Sequence, residues 1–511
     1  MIIDMHTHVP LNKSDWPKFI HTCRTNNVSI AIASALGVTD WPQYPSKEVV
    51  RKANDLAFEF AQYSRGLVRW LAYINPQNAN WPKELQLCLN KGAIGIKLWI
   101  SIKSSDGSIE GVWPILECAG KLKIPVLIHS FNRQVDLFKG EINTLEVASL
   151  AKKIPQTTII AAHAGGNWQI GIKQLANLDN VYVDISGSFP QRTMVETIVR
   201  ELGDEHVLFG SDMYGREQSS QLAKIIFSNI TDSQRELLLY KNSCRVFGLN
   251  GNSAASQQIT NYNSKTMQFM SEVVDHFCFA GKFTFLGTGV SIEELECELI
   301  RNKYTAFVAN AETLHNDDLA DKNNKFITEV AGSSQIKPLA TIDPLGDWRP
   351  LLDQAKQDFA GVLVSPYFHR WSLQDTNCRD FFESCAKDKF PVWINCDLGD
   401  NRFYMYPIPI RQVSISELNW FAANAPLNTY YFQALHETGI DALLTNKRSD
   451  SMIYCEISRL TDVAGSLINV LRKFGRNHFV FGSEYPLRAM PTVKYVADTM
   501  SCAKIDLVRK T

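Results

Sequence analysis

Four segments from the first half of the chain recur in the second half. In the first half they are IIDMHTH (2–8), AIGIKLW (93–99), IPVLIHS (124–130) and VLFGSDMYG (207–215). Their counterparts are VVDHFCF (273–279), FAGVLVS (359–365), FPVWINC (390–396) and FVFGSEYPL (479–487). The offsets between paired segments all lie between 266 and 272 residues. We therefore predict two tandem copies of one domain, residues 1–250 and 265–511, joined by a polar linker at 251–264.

The first copy alternates β-rich runs with segments of helical spacing, such as 54–61 and 191–201. Eight runs are predicted to be strands: Ile2–His6, Val28–Ala33, Leu67–Ile74, Ala93–Leu98, Val126–His129, Thr158–His163, Val181–Ile185 and Val207–Gly210. Eight parallel βα units in about 250 residues match the size of a (β/α)8 barrel. An open doubly wound sheet is the alternative, but the sequence lacks the GxGxxG turn of many such folds. We predict an α/β chain made of two tandem (β/α)8 TIM-like barrels.

Polar side chains gather where the predicted strands of the first copy end. They are His6, His8, Lys97, His129, His163 and Asp212. Strand alternation places Asp4, His6 and His8 on one face, with the two histidine Cα atoms roughly 6–7 Å apart. Barrel enzymes build their active sites at the carboxyl ends of the strands. Because imidazole and carboxylate ligands suit zinc, manganese or iron, this set predicts a metal site.

Other polar residues near these strand ends allow more than one interpretation. Lys97 could neutralise a carboxylate, bind an anionic substrate, or be carboxylated and bridge two metals. Trp99 shares its strand face with Lys97 and would line the substrate pocket. Arg133 and Arg216 follow two of the strands, where they could meet a substrate carboxylate or lie on the solvated surface. Asp184, in VYVDISG, is predicted to be structural.

The motifs DMHTH, GIKLW, PVLIHS, AAHAGG, VYVDISG and FGSD resemble the amidohydrolase superfamily over residues 1–250. The resemblance is greatest to the amidohydrolase-2 branch, which includes aminocarboxymuconate-semialdehyde decarboxylase. It implies one or two divalent ions, zinc first, with manganese or iron as alternatives. The ligands that it implies are His6, His8, His129 and Asp212. Asp212 would also move a proton, and His163 would be an acid/base or the ligand of a second metal that a carboxylated Lys97 bridges.

The resemblance implies a metal-dependent hydrolase that cleaves a C–N or C–O bond of a small carboxylate-bearing or cyclic substrate. A non-oxidative metal-dependent decarboxylase is the alternative within the same fold. A binding or scaffold protein with a vestigial metal site is the third hypothesis. The intact ligand set of the first copy counts against this last one.

The second copy has lost the predicted ligands. Aligned with His6, His8, Lys97, His129 and Asp212 are Phe277, Phe279, Leu363, Asn395 and Glu484. His163 falls near Ala434 in a loose alignment, with His436 two residues further on. We therefore predict a degenerate, non-catalytic barrel that packs on the first as a pseudo-dimer within the chain, with further homo-oligomers open. A ligand-binding or regulatory barrel is the alternative.

Charge and cysteine usage limit the partners and the compartment. The net charge is −1 and no charged block is present, so we expect a small-molecule substrate and neither nucleic acid nor a membrane as partner. The 11 cysteines are scattered without a CxxC pair, which is typical of reduced thiols. No apolar run is long enough to span a bilayer, and no signal peptide is predicted. We expect a cytoplasmic protein.

Overall fold

The computed structural model describes residues 1–133, 138–250, 273–315, 318–405 and 407–500. The chain divides into two compact units, Met1–Lys265 and Thr266–Thr511. The predicted linker at 251–264 lies outside the described residues. Among the residues described, no helix has the length and apolar character needed to cross a membrane.

Nine short strands lie in the described part of the first unit. They are β1 (Ile3–His8), β2 (Ile30–Ser34), β3 (Val68–Trp70), β4 (Ala72–Tyr73), β5 (Ile96–Leu98), β6 (Val126–Ile128), β7 (Ile159–Ala161), β8 (Val181–Asp184) and β9 (Val207–Leu208). Its α-helices are Trp16–Thr25, Lys47–Tyr63, Trp81–Asn90, Trp113–Leu122, Thr144–Lys153, Trp168–Leu175, Met194–Leu202, Gln218–Ile226, Asp232–Glu236 and Asn242–Phe247. Each predicted strand has a counterpart, but Leu67–Ile74 is interrupted at Leu71, and the strand predicted to reach His163 ends at Ala161.

Strands β1 to β3 form one parallel sheet and strands β4 to β9 form a second, each in chain order. The two sheets meet at Leu71, whose backbone N–H donates to Ala33 O at 2.9 Å. The barrel closes on β1, because Met5 N donates to Phe209 O at 3.0 Å and Asp212 N donates to His6 O at 2.7 Å. At the same seam, the backbone N–H and the hydroxyl of Ser211 donate to the Asp4 carboxylate at 2.9 and 2.6 Å. The barrel predicted for the first half is confirmed.

Strand β1 departs from the alternation that the sequence predicts. Its register against β2 shifts between Asp4 and Thr7, which adds one residue to β1 as a bulge. As a result Asp4 reaches Gln218 of the helix Gln218–Ile226, at 2.8 Å, whereas His6 contacts Lys97 of β5. The prediction that Asp4 shares a face with His6 was wrong for this reason.

Local sequence explains where several helices begin. Three helices of the first unit, at Trp16, Trp81 and Trp113, start with Trp-Pro, and proline is favoured in a first turn because it needs no N–H partner there. The helix Thr144–Lys153 has a capping box between Asn143 and Glu146. These residues fix the points at which the helices between the strands begin.

Among the residues described from the second unit, nine strands form one sheet. They are β10 (Val273–Phe283), β11 (Thr288–Val290), β12 (Tyr304–Asn310), β13 (Ile336–Thr341), β14 (Gly361–Val364), β15 (Val392–Asn395), β16 (Thr429–Gln433), β17 (Met452–Glu456) and β18 (Phe479–Val480). Its α-helices are Ile292–Asn302, Leu319–Glu329, Trp348–Asp358, Pro366–His369, Arg379–Lys387, Ile415–Asn424, Glu437–Asn446, Ser466–Phe474 and Pro491–Met500.

The sheet order in the second unit is β11-β10-β12-β13-β14-β15-β16-β17-β18. Strand β11 was not predicted; it pairs antiparallel with the long β10 after a turn at Gly287, whose φ is +63°. The remaining pairs are parallel, and His276 N donates to Phe481 O at 2.9 Å between β10 and the residues after β18. A complete second barrel stays a prediction.

Candidate metal centre

The six polar residues predicted from the sequence lie at the carboxyl ends of the strands of the first unit. His6 and His8 belong to β1 and Lys97 to β5, while the others follow their strands within a few residues: His129, His163 and Asp212. Five of the six are buried, and the Asp212 side chain keeps 23% of its surface exposed. The barrel thus brings together residues that are far apart in sequence.

His6, His8 and Asp212 form one group that could hold a metal ion. His8 Nε2 lies 3.0 Å and His6 Nε2 lies 4.0 Å from Asp212 Oδ1, and one ligand atom from each residue lies within 4.8 Å of the others. Asp212 adopts a left-handed backbone conformation, with φ +60°. Residues other than glycine rarely adopt this conformation outside turns and functional sites. Two imidazoles and a carboxylate at this spacing fit a zinc-type divalent ion.

The second ring nitrogens of these histidines have partners of their own. His6 Nδ1 donates to Asp184 Oδ2 at 3.0 Å, and His8 Nδ1 donates to Ser34 O at 3.4 Å. Such outer partners fix the ring and the tautomer of a ligating histidine, leaving Nε2 to coordinate. Burial and the charge of Lys97 lower the pKa of His6 to about 4, so its ring is neutral at pH 7. The donor set therefore has the protonation state that a metal needs.

Asp184 has a larger part in the site than the sequence predicted. Burial alone would raise the pKa of Asp184, but the hydrogen bonds that its carboxylate accepts from His6 Nδ1 and from Ser186 N hold that pKa well below its usual range. Asp184, His6 and His163 also form a second group that could hold an ion. Because His6 Nδ1 already donates to Asp184, this second group is less open than the first.

Lys97 lies beside His6 in the barrel interior. Its Nζ lies 2.9 Å from His6 Nε2, and only 1% of the residue is exposed. Burial lowers the pKa of Lys97 to about 8, against the opposing pull of Asp212 and Asp184. The amine therefore sits on the same ring nitrogen that a metal would use.

His163 follows β7 in a left-handed turn, with φ +60°. Its Nδ1 lies 2.8 Å from Ser186 Oγ, and its ring stacks on His6 with centroids 5.1 Å apart. Burial holds the pKa of His163 well below its usual value. Gly187, at φ +85°, passes so close that a Cβ there would lie 2.5 Å from His163 Nδ1.

His129 has a partner that the sequence analysis missed. Its Nε2 donates to Glu141 Oε1 at 2.8 Å. Arg133 donates to the same carboxylate from Nε at 2.6 Å and from Nη2 at 3.1 Å. Glu141 follows no predicted strand and belongs to no motif, so only the fold reveals it.

Trp99 and Arg216, the other predicted substrate contacts, are both half-buried. Trp99 is half-buried and meets Trp41 edge to face, with ring centroids 5.8 Å apart, and Trp41 in turn lies 4.7 Å from the ring of His8. Arg216 is half-buried, and its backbone N–H donates to Asp212 O at 3.2 Å. Trp41 and Trp99 thus form an aromatic wall beside His8. The sequence predicted Trp99 at this place but not Trp41.

Comparison with known proteins places the first unit in a family. The model of the amidohydrolase family matches residues 3–249. Among solved structures, 2,6-dihydroxybenzoate decarboxylase from Rhizobium is similar at 17% identity, over 49% of this chain and 98% of that one, with a TM-score of 0.39. An amidohydrolase from Burkholderia multivorans with bound zinc is similar at 13% identity, over 49% and 100%, with a TM-score of 0.39.

A third solved structure, 4-oxalomesaconate hydratase from Rhodopseudomonas palustris, is similar at 15% identity, over 52% of this chain and 100% of that one, with a TM-score of 0.37. A comparison with curated proteins finds no match. The family match covers the closed barrel, its strand-end histidines and Asp212 together. The first unit of this chain is a member of the amidohydrolase family.

Proposed function

We propose that the first unit is a metal-dependent hydrolase that cleaves a C–N or C–O bond in a small carboxylate-bearing or cyclic substrate. One observation carries the proposal: His6, His8 and Asp212 converge on one point, and both imidazoles are held from behind by Asp184 and Ser34. Sites prepared in this way are typical of metal centres. These residues also lie at the carboxyl ends of the barrel strands, where enzymes of this fold have their active sites.

A divalent ion held by His6, His8 and Asp212 would supply Lewis acidity and favour deprotonation of water. The Asp212 carboxylate, partly exposed and kept ionised by its contact with His8, can accept a proton from water and return it to the leaving group. The neutral ring of His163 can hydrogen-bond negative charge that develops on the substrate. Trp41 and Trp99 supply a wall that orients an apolar or planar part of the substrate.

Metal content is the first test. Purified full-length protein is expected to carry about one equivalent of zinc, manganese or iron, and His6→Ala is expected to remove it. His21→Ala, which changes an exposed histidine of the same unit, is the matched control and should keep the metal. Metal-free protein that refuses added zinc would refute the hydrolase and favour the scaffold hypothesis.

Screening of the metal-loaded protein then separates the two enzyme hypotheses. Lactones and amides test hydrolysis by the appearance of the ring-opened acid or the free amine. Unsaturated carboxylic acids test decarboxylation by release of carbon dioxide. Turnover of the acids without turnover of lactones or amides would replace the hydrolase by the decarboxylase.

We propose that the second unit is a degenerate, non-catalytic copy of the first. Its backbone supports this, because Ala434 and Glu484 adopt φ +60°, the value found at the aligned His163 and Asp212. Side chains that hold the frame also correspond: Ser483 N donates to Asp275 at 2.9 Å, as Ser211 does to Asp4. The second unit therefore shares these backbone features with the first unit but lacks the metal-ligand side chains.

Arginine occupies the place of the lost ligands in the second unit. Arg459 aligns with Gly187, and its Nη2 donates to Glu484 Oε1 at 2.7 Å. Arg488 donates to the other oxygen of Glu484 at 2.6 Å, and Gly399 N donates to Oε1 at 2.7 Å. Because guanidinium groups already neutralise this carboxylate, we propose that the second unit needs no metal to balance it.

A further inference from the structure

A chain of three charged or polar side chains ends on His129. Arg133 donates two hydrogen bonds to the Glu141 carboxylate, from Nε at 2.6 Å and from Nη2 at 3.1 Å. Glu141 Oε1 also accepts a hydrogen bond from His129 Nε2 at 2.8 Å. Glu141 is only 7% exposed, and the Arg133 side chain is equally enclosed. A two-pronged arginine–carboxylate pair of this kind has a defined direction as well as strength.

The surrounding chain holds this pair in place. Phe131 N donates to Ile142 O at 2.9 Å, which ties the segment carrying Glu141 to the end of β6. The Arg133 guanidinium lies 4.5 Å from the centre of the Phe131 ring and 4.2 Å from that of Phe138. Two aromatic faces and a carboxylate therefore leave the guanidinium little freedom to swing toward a substrate.

We propose that Glu141 is a positioning residue that selects which ring nitrogen of His129 would be available to a bound metal ion, and that Arg133 supports it. An ionised carboxylate only accepts hydrogen bonds, so Nε2 of His129 carries the hydrogen and Nδ1 keeps the lone pair. His6 shows the same arrangement with the nitrogens exchanged, because Asp184 holds its Nδ1. The inference rests on the proposed function, and it assigns Arg133 to the site's framework instead of to the substrate.

The first experiment measures zinc affinity of the full-length protein by competition with a chromophoric chelator. Glu141→Ala is expected to weaken zinc binding by about 10–100-fold, the usual effect of removing an outer partner of a ligating histidine. Glu141→Gln keeps an oxygen that can accept from Nε2 and is expected to recover most of that loss. Arg133→Ala should weaken binding less than Glu141→Ala.

Glu146→Ala is the matched control, five residues further along the same segment. It removes the capping box of the helix Thr144–Lys153 and an ion pair with Lys103, so it lowers stability without touching His129. Zinc affinity is expected to stay within about threefold of the wild type, while the thermal midpoint falls by a few degrees. An equal loss of zinc affinity in Glu146→Ala and Glu141→Ala would overturn the positioning role.

The second experiment reads the His129 tautomer in metal-free protein by nitrogen NMR of histidine-labelled samples, with His129→Asn identifying its signals. The wild type and Glu141→Gln should show the hydrogen on Nε2, and Glu141→Ala should lose this preference. A wild type that binds no zinc refutes the proposed function, whereas zinc binding that is unchanged in Glu141→Ala refutes only this inference. A tautomer unaffected by Glu141→Ala refutes it as well.

Discussion

Gly187 offers the sharpest test of how the first unit holds His163. A Cβ added at this position would lie 2.5 Å from His163 Nδ1 and 3.0 Å from its Cγ, closer than side chains pack. The backbone also has φ +85°, which disfavours any L side chain. Gly187→Ala therefore adds two separate costs, one from the backbone and one from the ring of His163.

The two costs in free energy of unfolding differ in magnitude, and only the cost from the His163 ring can be removed by a second substitution. The left-handed backbone costs roughly 1–2 kcal/mol for alanine, whatever the neighbours are. Overpacking against a buried ring adds roughly 1–3 kcal/mol. His163→Ala removes the ring, so in that background Gly187→Ala should cost only the first amount. The expected coupling between the two substitutions is therefore about 1–3 kcal/mol.

The assay is urea unfolding of the metal-free, full-length protein, followed by tryptophan fluorescence, for the four members of the cycle. Gly92→Ala is the matched control, because Gly92 has φ +90° with nothing within 4 Å of its Cβ position. It should cost roughly 1–2 kcal/mol in both backgrounds and show no coupling. A Gly187→Ala cost that is the same with and without the His163 ring would refute the packing argument.

Two further predictions concern buried charges. In metal-free protein, Lys97 has a pKa of about 8 in the folded state against 10.5 in the unfolded state, so the unfolded chain binds more protons between these values and stability rises with pH. Relative to Lys97→Met, the wild-type free energy of unfolding in urea titrations should therefore increase by about 3 kcal/mol from pH 8 to 10.5. Parallel pH curves for the two proteins would contradict this. Arg459→Ala should lower the free energy of unfolding by about 3–5 kcal/mol, because it removes a buried partner of the Glu484 carboxylate. Arg448→Ala, which changes an exposed arginine, is the control and should change this free energy by less than about 0.5 kcal/mol. Equal effects of the two substitutions would show that the buried pair contributes nothing.

The strand-end residues could be placed from the sequence because a barrel has a simple geometry. Once the apolar runs were identified as parallel strands, their carboxyl ends had to meet at one end of the barrel, so His6, Lys97, His129, His163 and Asp212 had to lie together. Period-2 alternation was the weaker guide. The bulge in β1 added one residue between Asp4 and Thr7, and nothing in the local composition signals it.

The partners behind the histidines could not be predicted in the same way. Glu141 lies in a connecting segment, where side-chain direction depends on loop geometry and not on a period. Ser34, at the end of β2, and Ser186, two residues after β8, act through single short contacts that no sequence pattern marks. The close approach of Gly187, the residue aligned with Arg459, to the ring of His163 could be seen only in the folded structure, where an added Cβ would lie 2.5 Å from His163 Nδ1.

In each unit, a hydrogen bond between the first strand and the residues after the last strand has a consequence for synthesis. Ser211 bonds to Asp4 across 207 positions, and Ser483 bonds to Asp275 across 208. At a ribosomal rate of about 5–20 residues per second, the outer edge of each first strand stays unpaired for about 10–40 s after it is made. An open strand edge is a template for intermolecular pairing. The chain therefore passes twice during translation through a period in which a nearly finished unit presents an unsealed edge.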